Sequence, residues 1–295
     1  MKKILITGGS GFVGGHLIEL AQKKYIVHAT HFNNPLPFSE IRSHHIDLSK
    51  IDNAVTLIES LKPDIILHTA ACSNPDFCEK NREISSRLNT HLTEQICRAA
   101  RRINARFIFT STDLVFDGKR NNYSETDAAN PANFYGKTKF EAERLVESIG
   151  GKVVIARLAL VYGFGLHRQR TFFESMIQAI TAGKKITLFH DQYRSPILVQ
   201  NLAEALLELA ENKFSGIIHL SGGERISRFD FGVKTCKILS LPISFLENKS
   251  MFDITTIAAR PQDVSMKNEL ARRILSTKLL NCDEGLQKIK LAAGY

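Results

Sequence analysis

Apolar residues along the first 160 positions fall alternately into short unbroken runs and into stripes of helical spacing. Ile4, Leu5 and Ile6 form a compact run that ends at Gly8 and Gly9, the pattern of a strand buried on both faces. Phe12, Val13, Leu17, Leu20 and Ala21 then recur at helical spacing and predict a helix over 12–24. The same pattern predicts strands over 25–30, 65–68, 106–110 and 152–158, and helices over 51–61, 78–102 and 134–149. Such alternation predicts a parallel sheet covered on both faces: a doubly wound α/β domain over 1–160.

Past Gly163 the rhythm changes. Residues 163–170 are rich in glycine and charge and predict a mobile loop. Helices over 171–182 and 199–211, strands over 185–189 and 216–220, and two or three further helices complete the chain. The expectation is a smaller, discontinuous C-terminal α+β substrate lobe over 161–295, with a segment near 190–215 returning to the main sheet. No internal repeat is visible.

Composition narrows the class without naming a chemistry. At 295 residues, 43% hydrophobic and 23% charged, the chain is an ordinary globular protein. A chain of this size buries about 75% of its unfolded surface and needs no disulfide or metal to hold it. The five cysteines are odd in number and form no C-x-x-C pair, which speaks against a disulfide framework or structural zinc and fits a reducing compartment. The run after Met1-Lys2-Lys3 is too short for a signal peptide, and no stretch of about 18 apolar residues occurs. A soluble, cytoplasmic protein without membrane contact is expected. The net charge of +9 is dispersed and accompanies no nucleic-acid-binding motif; it suits an anionic cofactor and substrate, or simple solubility that needs no partner. His28, His31, His44 and His45 lack carboxylates at ligand spacing, and no metal site is expected.

The first chemical motif is Gly8-Gly9-Ser10-Gly11-Phe12-Val13-Gly14, set between the first strand and the first helix. Glycines there let the backbone approach a pyrophosphate, and the helix N-terminus offers free N–H groups. The strand–turn–helix context makes this a Rossmann-type dinucleotide site. About 20 residues further on, an NAD-specific site carries an acid for the ribose 2′-hydroxyl. This chain has Thr30-His31-Phe32-Asn33-Asn34 instead. NADP(H) is therefore favoured, with NAD(H) as the alternative, because no arginine stands there either.

The second motif is Tyr135-x-x-x-Lys139. Positions i and i+4 share a helix face, and a cation beside a phenol is expected to draw its pKa down and suit it to proton exchange with a carbonyl or carbinol. Ser111-Thr112-Asp113 ends a strand, and ligands in open α/β sheets bind beyond strand carboxyl ends.

The order of glycine turn, strand-end hydroxyl and Y-x-x-x-K resembles the extended short-chain dehydrogenases/reductases. The segment Ser111-Thr112-Asp113-Leu114-Val115-Phe116-Asp117-Gly118, with Tyr123, Glu125, Asp127, Pro131 and Tyr135 through Lys139, is similar to the dTDP-4-dehydrorhamnose reductase family. The non-catalytic regulatory subunit of methionine adenosyltransferase shares the pattern. The resemblance extends through Asp191-Gln192-Tyr193-Arg194 and Ala259-Arg260-Pro261. It implies catalytic roles for Thr112, Tyr135 and Lys139. It implies cofactor contacts by Gly8, Gly11, Phe12, Val13, Gly14, Asp47, Leu48, Ala70 and Ala71, with Tyr135 and Lys139. Asp47 is read equally as a helix N-cap, and Asn89 either as matching an asparagine of extended members or as an ordinary polar residue. Thr112 and Asp113 would meet substrate; Arg194 and Arg260 would grip a nucleotide-sugar diphosphate or serve as surface ion-pair arginines.

The implied activity is NADPH-dependent reduction of a 4-keto sugar nucleotide, as in dTDP-rhamnose biosynthesis, by a chain that can form a homodimer. The alternatives are an epimerase or dehydratase of the same fold, or a regulatory subunit that binds NADP without turnover. Two departures from the reductase pattern, Leu114 where tyrosine is usual and Phe12 where glutamine is common, bear on which sugar is taken.

Overall fold

The computed structural model describes residues 1–166 and 171–293. Part of the predicted 163–170 loop, residues 167–170, lies outside the described residues. Seven parallel strands form the main sheet in the order Gly216–Leu220, Val153–Leu158, Arg106–Thr112, Ile65–His68, Lys3–Thr7, Ile26–His31, Arg42–His45. Lys3–Thr7 lies inside the sheet, and the chain winds outward from it first to one edge and then to the other. The crevice beyond the carboxyl ends of Lys3–Thr7 and Ile65–His68 is thus the switch point where such sheets bind ligands.

The unbroken Ile4-Leu5-Ile6 run is explained by burial on two sides. Ile4 and Ile6 pack with Leu17, Ile18, Leu202 and Leu206 on one face, and Leu5 packs with Ile58, Ile96 and Val146 on the other. Each such side chain contributes about 1.5–3 kcal/mol on leaving water. The helix Val199–Glu211 returns to cover the first face beside Phe12–Ala21, and the strand Gly216–Leu220 then extends the sheet edge. The remaining C-terminal segments have a core of their own around Tyr162, Phe173, Met176, Phe231 and Leu286.

Two elements differ from the pattern-based expectation. Arg42–His45 is a strand with no apolar residue. It lies at the sheet edge, pairing Thr30 with His44 and His31 with His45, where little burial is required and hydrophobic patterning is silent. The predicted helix over 78–102 is instead divided into Pro75–Lys80, Arg82–Ser86, a π-helical turn Arg87–His91, and Leu92–Arg102. The wide turn carries Asn89, which is wholly buried. Its amide accepts from Cys72 N (2.8 Å) and donates to Cys72 O and Thr138 Oγ1 (both 3.0 Å). A side chain that bridges two segments so closely rewards the locally widened helix.

Candidate active site

The glycine turn is shaped by close approach. Gly8 has φ +72°, and a Cβ there would lie 2.8 Å from the Ala70 backbone. A Cβ on Gly14 would stand 2.2 Å from the Gly8 carbonyl oxygen. Gly8 N donates to Thr30 Oγ1 (3.1 Å) and Gly9 N to Thr30 O (2.8 Å), which ties the turn to the second strand. The helix Phe12–Ala21 begins at Gly11 without a side-chain cap, so its first N–H groups face the crevice as anion donors. Ala70 and Ala71 follow the strand Ile65–His68, and Ala70 N donates to Thr7 Oγ1 (3.4 Å). These dimensions fit a dinucleotide pyrophosphate, since the cradle excludes every side chain that would block one.

Asp47 caps no helix directly. Its Oδ1 accepts from Ser49 Oγ (2.7 Å) and Ser49 N (2.9 Å), and these bonds hold the carboxyl below its ordinary range. Lys50 occupies the N-cap of Ile51–Leu61. Leu48 packs against the core beneath. At the end of the second strand, His31 Nδ1 is buried without a hydrogen-bond partner, and its ring lies 5.4 Å from that of His45.

Thr112 closes the strand Arg106–Thr112. Its Oγ1 accepts from Leu114 N (3.2 Å) and donates to Asp113 Oδ1 (3.1 Å). Tyr135 arrives from the helix Phe134–Ile149, which Asn133 caps by accepting from Gly136 N (2.9 Å). Gly136 permits this docking: a Cβ there would lie 2.1 Å from Leu114 O. The Tyr135 phenol is buried, and burial raises its pKa, while a hydrogen bond with Thr112 opposes the rise and the Asp113 charge adds to it. Lys139 is 1% exposed, with its ammonium 4.1 Å from the Phe109 ring centroid. Burial pushes it down to about 7 against the opposing pull of Glu143. The expected lowering of Tyr135 by Lys139 therefore gives way to the opposite. Desolvation is the largest influence on both groups, and the lysine itself is close to losing its proton at neutral pH.

Glu143 lies one turn beyond Lys139 and is engaged in a forked pair with Arg157, at 3.0 Å from Nε to Oε1 and 2.8 Å from Nη2 to Oε2. Both side chains are almost wholly buried. Asn89, through Thr138, holds the helix between Tyr135 and Lys139: Thr138 Oγ1 in turn donates to Tyr135 O (2.8 Å).

Charges gather on the C-terminal side of this centre. Asp113 is 5% exposed, its Oδ2 has no hydrogen-bond partner, and burial raises it to about 6 against the pull of Arg194. Arg194 is also buried. It donates to the carbonyls of Tyr193 (2.6 Å), Pro261 (3.2 Å) and Gln262 (3.4 Å), and feels Asp113, Asp263 and Arg260. Arg228, at the start of the helix Arg228–Ile238, stacks on Phe172 at 3.6 Å from the ring centroid. Its pKa is lowered by burial and by Arg194, and supported by Asp113. Arg260 bonds Asp76 Oδ2 (2.7 Å) and so ties the lobe to the short helix Pro75–Lys80. A separate open cavity of about 600 Å³ on the lobe contains none of Thr112, Tyr135 and Lys139. Among the described residues, no group of three or more His, Cys, Asp or Glu side chains is placed to hold a metal ion, and no helix is long and apolar enough to cross a membrane.

The family model described as the RmlD substrate binding domain matches residues 1–292. The chain belongs to this family. Among its relatives, the dTDP-4-dehydrorhamnose reductase of Aggregatibacter actinomycetemcomitans is 30% identical over 243 residues, 79% of this chain and 78% of that one. The methionine adenosyltransferase 2 subunit beta of Xenopus laevis is also 30% identical, over 83% of this chain and 74% of its own length. The solved structure of a dTDP-4-dehydrorhamnose reductase from Bacillus anthracis in complex with NADP superposes with a TM-score of 0.88 over 99% of both chains, at 24% identity.

Within this RmlD-family fold, Thr112, Asp113 and Tyr135 are brought together, and Lys139 stands one turn beyond Tyr135. Arg194 joins Asp113 electrostatically, whereas Arg260 is engaged with Asp76 at the edge. Sequence patterning missed Arg228. Ser227, which accepts from Asp230 N (3.0 Å), marks only a helix start; nothing local indicates that the charge of the next residue is felt together with that of Asp113. It also missed Cys72 and Cys78, whose sulfurs lie 3.7 Å apart.

Proposed function

We propose that this RmlD-family chain is an NADPH-dependent reductase of a 4-keto sugar nucleotide of the dTDP-4-dehydrorhamnose kind. The observation that carries the reading is a surplus of cations: Arg194 and Arg228 both sense Asp113, next to Thr112 and Tyr135, while the second acid that Arg194 feels, Asp263, is already paired with Arg225 at 2.6 Å. Desolvated guanidinium groups without a matching acid are costly unless an anion completes them, and a diphosphate accepts their hydrogen bonds in pairs. A ligand held there by its diphosphate would extend its sugar toward Tyr135.

The glycine cradle fits a dinucleotide, and NADP(H) is preferred because the second strand ends in His31 with no acid following to repel a 2′-phosphate. When bound, NADPH supplies the hydride. Thr112 orients the ketone oxygen through its hydroxyl. Tyr135, kept protonated by its burial, donates the proton that the new alkoxide requires. Lys139, while charged, stabilises the phenolate left behind, and Glu143 with its buried partner Arg157 holds the lysine helix in place.

Screening nucleotide-linked 4-keto sugars for loss of NADPH absorbance tests the assignment. Turnover of a dTDP- or UDP-linked 4-keto-6-deoxy sugar is the expected result. A chain that binds NADP(H) and turns over none of them fits instead a regulatory subunit, since its identity to the methionine adenosyltransferase subunit equals that to the reductase.

A further inference from the structure

We propose that Cys72 and Cys78 form a hydroperoxide-sensitive thiol pair, whose closure into a disulfide weakens cofactor binding. The second half of this inference rests on the dinucleotide reading of the glycine turn; the first half does not.

The Cys78 thiol donates toward Cys72 Sγ at 3.7 Å and toward Cys72 O at 3.3 Å. Cys72 is partly exposed, whereas Cys78, Cys97, Cys236 and Cys282 are buried. The donated hydrogen bond lowers the Cys72 thiol to about 7, overcoming the effect of burial, with Ser85 and the Asn74 backbone assisting. Burial raises Cys97 to about 12 and also raises Cys236 and Cys282. Cys72 is therefore the reactive thiol, since the thiolate is the nucleophile and access governs its oxidation. Cys78 is raised, first by its bond to Cys72 and then by burial. Once Cys72 is oxidised its sulfur is the electrophile that Cys78, 3.7 Å away, is placed to attack.

The chemistry balances. The Cys72 thiolate attacks one oxygen of the hydroperoxide; an S–O bond forms, the O–O bond breaks, and hydroxide leaves to take up a proton as water. Cys78 then loses its proton and attacks the Cys72 sulfenic sulfur. An S–S bond forms, the S–O bond breaks, and a second water departs. Two thiols have lost two electrons to one peroxide.

The location gives closure a consequence. Cys78 lies on Pro75–Lys80, which is fixed at three points: Glu79 accepts from Phe134 N (2.7 Å), and Asp76 accepts from Ala258 N (2.9 Å) and from Arg260 (2.7 Å). Cys72 lies two residues beyond Ala70, which already touches the space above Gly8. Shortening 3.7 Å to about 2.05 Å must move one side. The 70–72 segment is held by Thr7 and by Asn89 and borders the glycine turn, so strain placed on it would disturb the contact with Gly8 and pull on Asn89 and Thr138.

The test is mild hydrogen peroxide on the native chain, followed by denaturing alkylation and tryptic mass mapping. Peptide 51–80 carries both sulfurs. It should lose about 2 Da and escape alkylation, while Cys97, Cys236 and Cys282 are alkylated as before. Dithiothreitol should restore the dithiol. NADP⁺ should bind the closed form at least tenfold more weakly than the reduced form. In Cys78→Ser the loss of 2 Da should vanish, and Cys72 should instead accumulate oxygen that dithiothreitol does not remove. A native peptide that stays dithiol, or gains separate oxygens at the rate seen in Cys78→Ser, overturns the pair. Closure with unchanged NADP⁺ affinity overturns the control of cofactor binding. Closure in a chain that reduces no 4-keto sugar nucleotide leaves the pair standing and sinks only the reductase assignment.

Discussion

The glycine turn and the charge cluster around Asp113 are built from different materials. The turn is made of backbone and absence: Gly8 and Gly14 leave no room for a Cβ, and the helix Phe12–Ala21 presents uncapped N–H groups. The cluster is made of charged side chains, with Asp113, Arg194 and Arg228 contributed by segments far apart in the chain. A backbone site is insensitive to pH and selects by shape. A site of buried charges depends on its partners remaining in place, and it selects by charge and hydrogen-bond geometry.

The largest expected effect is on turnover. Tyr135→Phe should lower turnover of the 4-keto sugar nucleotide by about 10²–10⁴-fold while NADP⁺ and nucleoside diphosphates bind as before. Steady-state kinetics with calorimetric binding checks this; near-normal turnover would remove Tyr135 from the chemistry. Next, Arg228→Ala should weaken dTDP or UDP binding to the NADP⁺-saturated protein by about 1.5–3 kcal/mol and leave NADP⁺ affinity unchanged. Arg194→Ala is a less clean probe, because Arg194 also bonds three carbonyls that hold the lobe. Calorimetry at two salt concentrations separates a forked contact from diffuse attraction to the +9 chain. If Arg228→Ala lowers both affinities alike, the two halves are not independent. Gly14→Ala should do the reverse, weakening NADP⁺ by about 1–3 kcal/mol through overpacking against Gly8 and sparing the nucleoside diphosphate.

The smallest effect is on pH. Lys139, pushed down to about 7, is charged below that pH and neutral above it. Reductive turnover should fall as pH rises, by about tenfold between pH 6 and pH 8 if the charged form alone acts. A flat kcat/KM profile across that range would show that the ammonium is not needed.

The difference between the halves also marks what could be read in advance. Every part of the cofactor crevice is local: an apolar run, four glycines within seven residues, and a helical stripe occur together between residues 4 and 21. Tyr135 and Lys139 were legible for the same reason, since four residues apart on a helix is a local relation. The edge strand Arg42–His45 was not, because an edge demands little burial and leaves no hydrophobic trace. The break at Arg87–His91 depends on Asn89 reaching Cys72 and Thr138, which no window along one helix contains.

Period, glycine placement and the Y-x-x-x-K spacing were determined by the chain alone, because steric limits and helical geometry act over a few residues. The meeting of Asp113 with Arg194 and Arg228, the 3.7 Å approach of Cys72 to Cys78, and the shifted pKa values of Tyr135 and Lys139 were decided by the tertiary structure. Desolvation and through-space charge depend on what packs nearby, and a sequence does not state its neighbours in space.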